Sequence, residues 1–267
     1  MDYQARLQHH LFQYKEYHLG IRAKQYGSSL DALPANLKEL NILSGCRRPF
    51  RHMSQVNPLL HLQADFHHLT SSQALCFNLF FPFLQQPDLW RHLLSVIDSD
   101  VEDVRRTAFD FSFGRGSAET FDFSLSSTSG RHLYFDVKLA ENWFGPSFQS
   151  GICVETLTAC LRHDIVGLVS GSLLKSPEVA GLIVLLKKLA YVAGIGDSRL
   201  ICIYPWANLK LQQSMKTLQD SLYDSVRHKL RIVYLEDLIK QLLMAFRDKD
   251  SKINAHFENL RIKYVVS

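Results

Sequence analysis

Three residues carry the chemical signal of this chain: Asp122, Asp136 and Lys138. They lie in Phe121-Asp122-Phe123-Ser124-Leu125 and Leu133-Tyr134-Phe135-Asp136-Val137-Lys138-Leu139, where every odd-numbered position is apolar. A strand turns successive side chains to opposite faces, so the apolar set shares the buried face and the two acids and the lysine fall together on the other. Ser126 to His132, rich in serine and containing Gly130, suits a hairpin turn. Pairing Leu125 with Leu133 sets Asp122 across from Asp136, with Cβ atoms about 5 Å apart. Carboxylates in that position repel, and a divalent cation between them removes the repulsion. The competing reading is an ordinary amphipathic hairpin with a solvated polar face and a cross-strand Asp–Lys pair.

The chemistry that pattern suggests is metal-assisted hydrolysis of a phosphodiester. Mg²⁺ prefers oxygen and takes one or two carboxylates, several waters and a substrate phosphate. It lowers the pKa of a bound water and neutralises charge on the phosphoryl oxygens. Lys138, about 6.5 to 7 Å along the strand from Asp136, is placed to orient the attacking water or stabilise the transition state.

The elements that must hold these residues are legible in outline. At 267 residues the chain can bury a full-sized core. A helix is expected over 3–18, and Gly, Pro and Asn punctuation over 27–58 suggests a loose wrap. Thr70-Ser71-Ser72 caps a nearly all-apolar helix to about Leu84, which such a composition buries. Pro87 opens another to Ile97. Arg105 to Phe113 reads as a strand ahead of the two in the hairpin. Helices at 154–164 and 177–192 follow, then a strand at 200–204, a helix at 209–224 and a strand at 230–235. Helices from Glu236 to Phe246 and over 252–261 close the chain. Three strands in meander, a helical crossover and then β-α-β imply an α/β fold, a mixed sheet flanked by helices. The expected organisation is an N-terminal extension, 1–54, packed on one domain, 55–267.

Net charge is +4, which permits nucleic-acid binding without arguing for it. Local clusters matter more, notably Arg47-Arg48 and Lys187-Lys188; solvated surface is the first reading of any one of them, and phosphate contact the second. Five scattered cysteines without a Cys-x-x-Cys pair suit reduced thiols in a cytoplasmic protein. No signal peptide is read at the N-terminus. The longest apolar stretch, Gly181 to Gly196, is broken by Lys187-Lys188 and is too short to span a bilayer. His9-His10 and His67-His68 are adjacent rather than i,i+4, which is not zinc spacing. Gly114-x-Gly116 lacks the third glycine of a dinucleotide loop, and Gly167 to Gly171 misplaces its serine for a nucleophile elbow.

The order of elements, with an acid on one strand and Asp-x-Lys on the next, resembles the PD-(D/E)xK nuclease superfamily, the restriction-endonuclease-like fold. Leu60-His61, Phe66-His67-His68-Leu69 and Ser71-Ser72-Gln73-Ala74-Leu75-Cys76-Phe77-Asn78-Leu79-Phe80 look like the helical signature of a bacterial subfamily. Phe135-Asp136-Val137-Lys138-Leu139-Ala140-Glu141 with Phe144-Gly145 looks like its catalytic strand and turn, and Leu200 to Pro205 like its later apolar strand. The resemblance covers roughly residues 55 to 235, in patches. It makes Asp122 the first metal-binding acid, Asp136 the (D/E) residue and Lys138 the lysine, with the backbone carbonyl of Val137 a further ligand. The sequence departs from the pattern in having Asp where many relatives have Glu, and Phe121 where a proline often stands. Glu119 competes for the first acid but falls on the apolar side by parity. Gln73 and Ser72 either face the site or cap their helix. Glu141 is an outer-sphere acid or a surface partner, and Glu155 is a more distant candidate.

On that resemblance the chain is expected to be a Mg²⁺- or Mn²⁺-dependent endonuclease acting on DNA, with homodimerisation expected by analogy. Asp122→Ala or Asp136→Ala is expected to abolish cleavage and leave folding intact. Two rivals stand beside this reading. One is a non-catalytic nuclease-fold module that binds nucleic acid or protein. The other is a nuclease for RNA or single strands, favoured if Trp143 or Phe144 is exposed for stacking; a third possibility is a housekeeping or defence effector triggered only with other proteins.

Overall fold

Capping residues and apolar periodicity account for most of the elements in the computed structural model, which describes all residues except 23–30, 58–59, 61, 101–102, 113–119, 145–162, 248 and 267. Asp2 accepts from Ala5 N–H and opens α1, Tyr3–Tyr17. Helix α2 is Ser44–Val56, and Ser71 caps α3, Ser72–Gln85, through Ala74 N–H. A 3₁₀ turn at Pro87–Leu89 leads into α4, Trp90–Ile97. Strands β1, Arg106–Ser112, β2, Thr120–Ser126, and β3, His132–Val137, come next. Helix α5, Val179–Ala193, crosses to β4, Ser198–Tyr204, and α6, Leu209–Ser221, crosses to β5, Leu230–Tyr234. Helices α7, Leu235–Phe246, and α8, Ser251–Tyr264, complete the described chain.

The five strands form one mixed sheet in sequence order, β1-β2-β3-β4-β5. The first three pair antiparallel and the last three parallel. Leu125 pairs with Leu133, the register the hairpin pattern implies. Parallel strands need covering on both faces, and the helices supply it. Phe123, Leu125, Leu133, Phe135, Val137, Ile201 and Ile203 pack beneath α3, α4, α7 and α8. Tyr134, Leu200, Cys202 and Tyr204 pack beneath α5 and α6. Phe80 of α3 stacks on Phe123 with centroids 4.2 Å apart and meets Phe135 edge-on at 5.0 Å. The N-terminal segment shares this core, since Leu7 and Leu11 of α1 are fully buried in the same cluster as the sheet.

Three expectations are corrected. The stretch over 27–58 contains a thirteen-residue helix, α2, in spite of Pro49. Packing overrides the local break: Cys46 and Phe50, one turn apart, are buried against Phe66, Phe77 and Phe81. The polar face of the hairpin is not solvated, because Ser124 and Asp136 are both buried. Phe121 does not share a face with Phe123 but clusters with Tyr134 and Tyr191, at 4.6 and 5.8 Å. In β1, one residue before Phe111, its ladder partner, Asp110 has φ +49. That left-handed residue, a conformation aspartate tolerates, breaks the alternation locally, and β2 follows to stay paired at Phe111↔Phe121. The helix expected at 154–164, all but its last two residues, and the turn Gly114–Gly116 lie outside the described residues.

Candidate active site

The site forms where β2 leaves β3. Their pairing ends at Phe123↔Phe135, whereas β3 stays with β4 to Val137↔Ile203. Lys138 N–H donates to Ile203 O at 2.8 Å, so the N–H and C=O of Val137 point to the opposite edge. Val137 N–H is thereby free of the ladder and donates to Asp122 Oδ2 at 2.6 Å. The Val137 carbonyl, expected as a ligand, is directed to the same side.

Around that opening the charges alternate. Asp136 has no solvent exposure. Its Oδ1 lies 2.5 Å from Lys138 Nζ, and its Oδ2 accepts from Lys188 Nζ of α5 at 2.8 Å. Lys138 Nζ also lies 3.8 Å from Asp122 Oδ2. Burial pushes the Asp122 carboxyl up to about 6; Lys138 opposes this and the neighbouring charge of Asp136 adds to it. Burial acts on Asp136 in the same sense, but the ammoniums of Lys138 and Lys188 overcome it and hold the acid at about 2. Burial works against the charge of Lys138, yet Asp136, Asp122 and Glu141 outweigh it and keep the ammonium protonated. One carboxylate is thus fully neutralised, and the other is short of positive charge.

A second layer of polar groups ties this cluster to α3. Leu139 N–H donates to both Ser72 Oγ and Glu141 Oε2, at 2.9 and 2.8 Å, and Ser72 Oγ donates to Glu141 at 2.7 Å. The Glu141 carboxylate therefore sits over the first turn of α3, where the helix dipole favours an anion. Gln73 accepts from Gln63 N–H and donates to Asp110 Oδ2 at 3.1 Å. Asp110 was missed in the sequence, although Phe109-Asp110-Phe111 repeats the Phe-Asp-Phe of β2 and the same parity argument applies. Ser72, Gln73 and Glu141 thus border the site on one side.

The basic candidates divide. Lys188, expected beside Lys187 as a nucleic-acid contact, is 4 % exposed and turned onto Asp136, so it is not a surface cation. A helix apolar on nearly every side was the available signal, since one of two adjacent lysines in it must face inward. Lys187 is half-buried. Arg47 is half-buried on α2, with its Nε donating to Ile42 O, and Arg48 is exposed. Glu119, Glu155 and His61 lie outside the described residues. His67 and His68 make local contacts, to Ala64 O and Asp31.

Titration of Asp122 has a measurable consequence in metal-free protein. Its folded pKa, about 6, exceeds the ordinary value of 3.8, so between those values the folded state holds more protons than the unfolded state. Its contribution to stability therefore grows as pH falls from 7 to 5. His92 and His256, held low by burial, act in the opposite sense. Urea midpoints at pH 7.0 and 5.5 are expected to shift upward on acidification for wild type relative to Asp122→Asn. Parallel shifts in the two proteins would refute a raised Asp122.

A mixed five-stranded sheet with an acid on its second strand and Asp-x-Lys on its third, flanked by helices, is the architecture of a restriction-endonuclease-like protein. A family model described as restriction endonuclease associating with ARP matches residues 3–160, and the chain belongs to that family. The matched stretch contains Ser72, Gln73, Asp110, Asp122, Asp136, Lys138 and Glu141, whereas Lys188 lies beyond it. No curated protein and no solved structure matches the chain.

Proposed function

We propose that the chain is a metal-dependent endonuclease that hydrolyses phosphodiester bonds in DNA. The observation that carries this reading is the Asp122–Lys138–Asp136 cluster, built round the buried Asp136, at the strand divergence of a restriction-endonuclease family member. Asp122, Asp136 and the carbonyl of Val137 would hold Mg²⁺ or Mn²⁺. The donors are oxygens only, as a hard cation requires, and the raised Asp122 is an acid that a further positive charge would relieve. Among the described residues no group of three or more His, Cys, Asp or Glu is arranged to hold a metal. Two carboxylates suit an ion that keeps several waters and a substrate phosphate better than a closed protein cage. When bound, such an ion activates water and neutralises charge on the phosphoryl oxygens.

Lys138 acts as a hydrogen-bond donor and fixed positive charge, since its acid neighbours keep it protonated; a protonated ammonium cannot serve as the base. It orients the attacking water and holds developing negative charge where the low local dielectric strengthens the interaction. Glu141 and Ser72 fix the backbone at Leu139, immediately after Lys138, and so hold the lysine in register.

The reading for single-stranded substrates has one supporting observation. Trp143 is 42 % exposed, whereas Phe144, its expected companion, is buried. Among the described residues no helix is long and apolar enough to cross a membrane. The test is incubation with plasmid, linear duplex, single-stranded DNA and RNA in Mg²⁺, Mn²⁺ or EDTA, alongside Asp122→Asn. Cleavage of duplex DNA that needs metal and is lost in the variant is the expected result. Full cleavage by folded Asp122→Asn would overturn the assignment, and DNA binding without cleavage by wild type would favour a binding module.

A further inference from the structure

Lys188 is the one component of the cluster that the acid and Asp-x-Lys pattern leaves unexplained. It comes from α5, on the opposite face of the sheet from α3, is itself 4 % exposed, and its helix neighbours Leu185, Leu189 and Val192 are fully buried. A lysine in such surroundings is retained only where a partner compensates the lost hydration. That partner is Asp136 Oδ2, at 2.8 Å. The second Asp136 oxygen faces Lys138 at 2.5 Å, so both oxygens of this acid face ammoniums. A divalent ion approaching Asp136 meets two positive charges, of which Lys138 belongs to the reaction and Lys188 does not. Lys188 also has somewhere to go: its Nζ stands 5.7 Å from the centroid of the Phe121 ring, whose face attracts a cation. Phe121 occupies that position because β2 breaks its alternation there.

We infer that Lys188 is a resident counter-cation of Asp136 that a divalent metal displaces, a positioning residue that compensates the buried acid and sets how tightly metal loads. The inference rests on the assignment of Asp122 and Asp136 as the metal site. Displacement breaks the Lys188–Asp136 hydrogen bond, moves the ammonium toward Phe121 and leaves Asp136 Oδ2 to the metal; no covalent bond changes. A charge within about 4–6 Å shifts an ionic equilibrium by about one to three powers of ten, which is the scale on which Lys188 weakens metal binding.

The experiment is a titration of the full chain with MnCl₂ alone, following free Mn²⁺ by electron paramagnetic resonance, with thermal unfolding recorded in parallel. Lys188→Met, which removes the charge and keeps the stem, is expected to bind Mn²⁺ about tenfold or more tighter than wild type. Its melting temperature is expected to rise more on Mn²⁺ addition. Lys188→Arg keeps the charge and is expected to bind like wild type. Should Lys188→Met fail to fold without metal, refolding with MnCl₂ is the reading: recovery supports displacement and no recovery overturns it. A folded Lys188→Met that binds Mn²⁺ no tighter than wild type overturns the inference alone, provided Asp136→Asn abolishes binding in both backgrounds. Binding that is unaffected by Asp136→Asn, or missing from wild type and Lys188→Met alike, overturns the metal site itself and the inference with it.

Discussion

Asp136→Ala is expected to lose about 3 to 5 kcal/mol of folding stability as well as all cleavage, the cost typical of removing one partner from a buried ion pair. The amphipathic hairpin read from sequence implies a variant that is inactive but intact, and the structure corrects that expectation. Asp136 is fully buried and neutralises two ammoniums, Lys138 and Lys188. Alanine leaves both without their principal counter-charge, and of the two Lys188 is buried. Asp122 cannot substitute, because its Oδ2 is 3.8 Å from Lys138 and already accepts from Val137 N–H. A urea titration of Asp136→Ala beside wild type measures the loss, and an unchanged midpoint would show that solvent reaches the cluster. Adding Lys188→Met to Asp136→Ala is expected to recover part of the loss, since the unpaired buried charge is then gone. An inactive Asp136→Ala is therefore ambiguous by itself. Asp136→Asn, which keeps volume and one hydrogen-bond acceptor, is the better probe of chemistry when its fold is checked.

Lys138→Met is expected to slow cleavage by about 10²- to 10³-fold, the effect of removing one donor aimed at developing charge. Stability changes less than for Asp136→Ala, because Asp136 keeps Lys188 at 2.8 Å and Lys138 is partly exposed, at 13 %. Metal affinity is expected to hold or rise, since one of the two cations facing Asp136 is gone. Raising Mg²⁺ therefore does not restore the rate. Single-turnover cleavage measured across a Mg²⁺ series separates the two effects. A variant rescued by high Mg²⁺ would mean that Lys138 assists metal loading rather than the reaction.

The strand pair, its register and the juxtaposition of Asp122, Asp136 and Lys138 are all legible in the amino-acid sequence. Period-two alternation in 133–139 and the serine-rich turn allow a pairing of Leu125 with Leu133 that buries both apolar sets, and the sheet has that register. The order of the remaining strands and their crossover helices follows from similar local signals. What local pattern fails to show are α2, where aromatic packing outweighs Pro49, and the reversed face of Phe121, which depends on the backbone of Asp110 across the ladder.

By itself, then, the sequence determined which side chains lie on neighbouring strands, because side-chain direction along a strand is a property of the backbone and needs no distant partner. Only the tertiary structure decided what those side chains face. Whether the polar face meets water or a helix depends on where residues far along the chain are packed. α5 closes over Asp136 and delivers Lys188 to it across a separation of fifty-two residues. A charge pattern that suits a solvated hairpin thereby becomes an enclosed cluster, in which burial raises the proton affinity of Asp122 and the cations the fold brings to Asp136 hold that acid low.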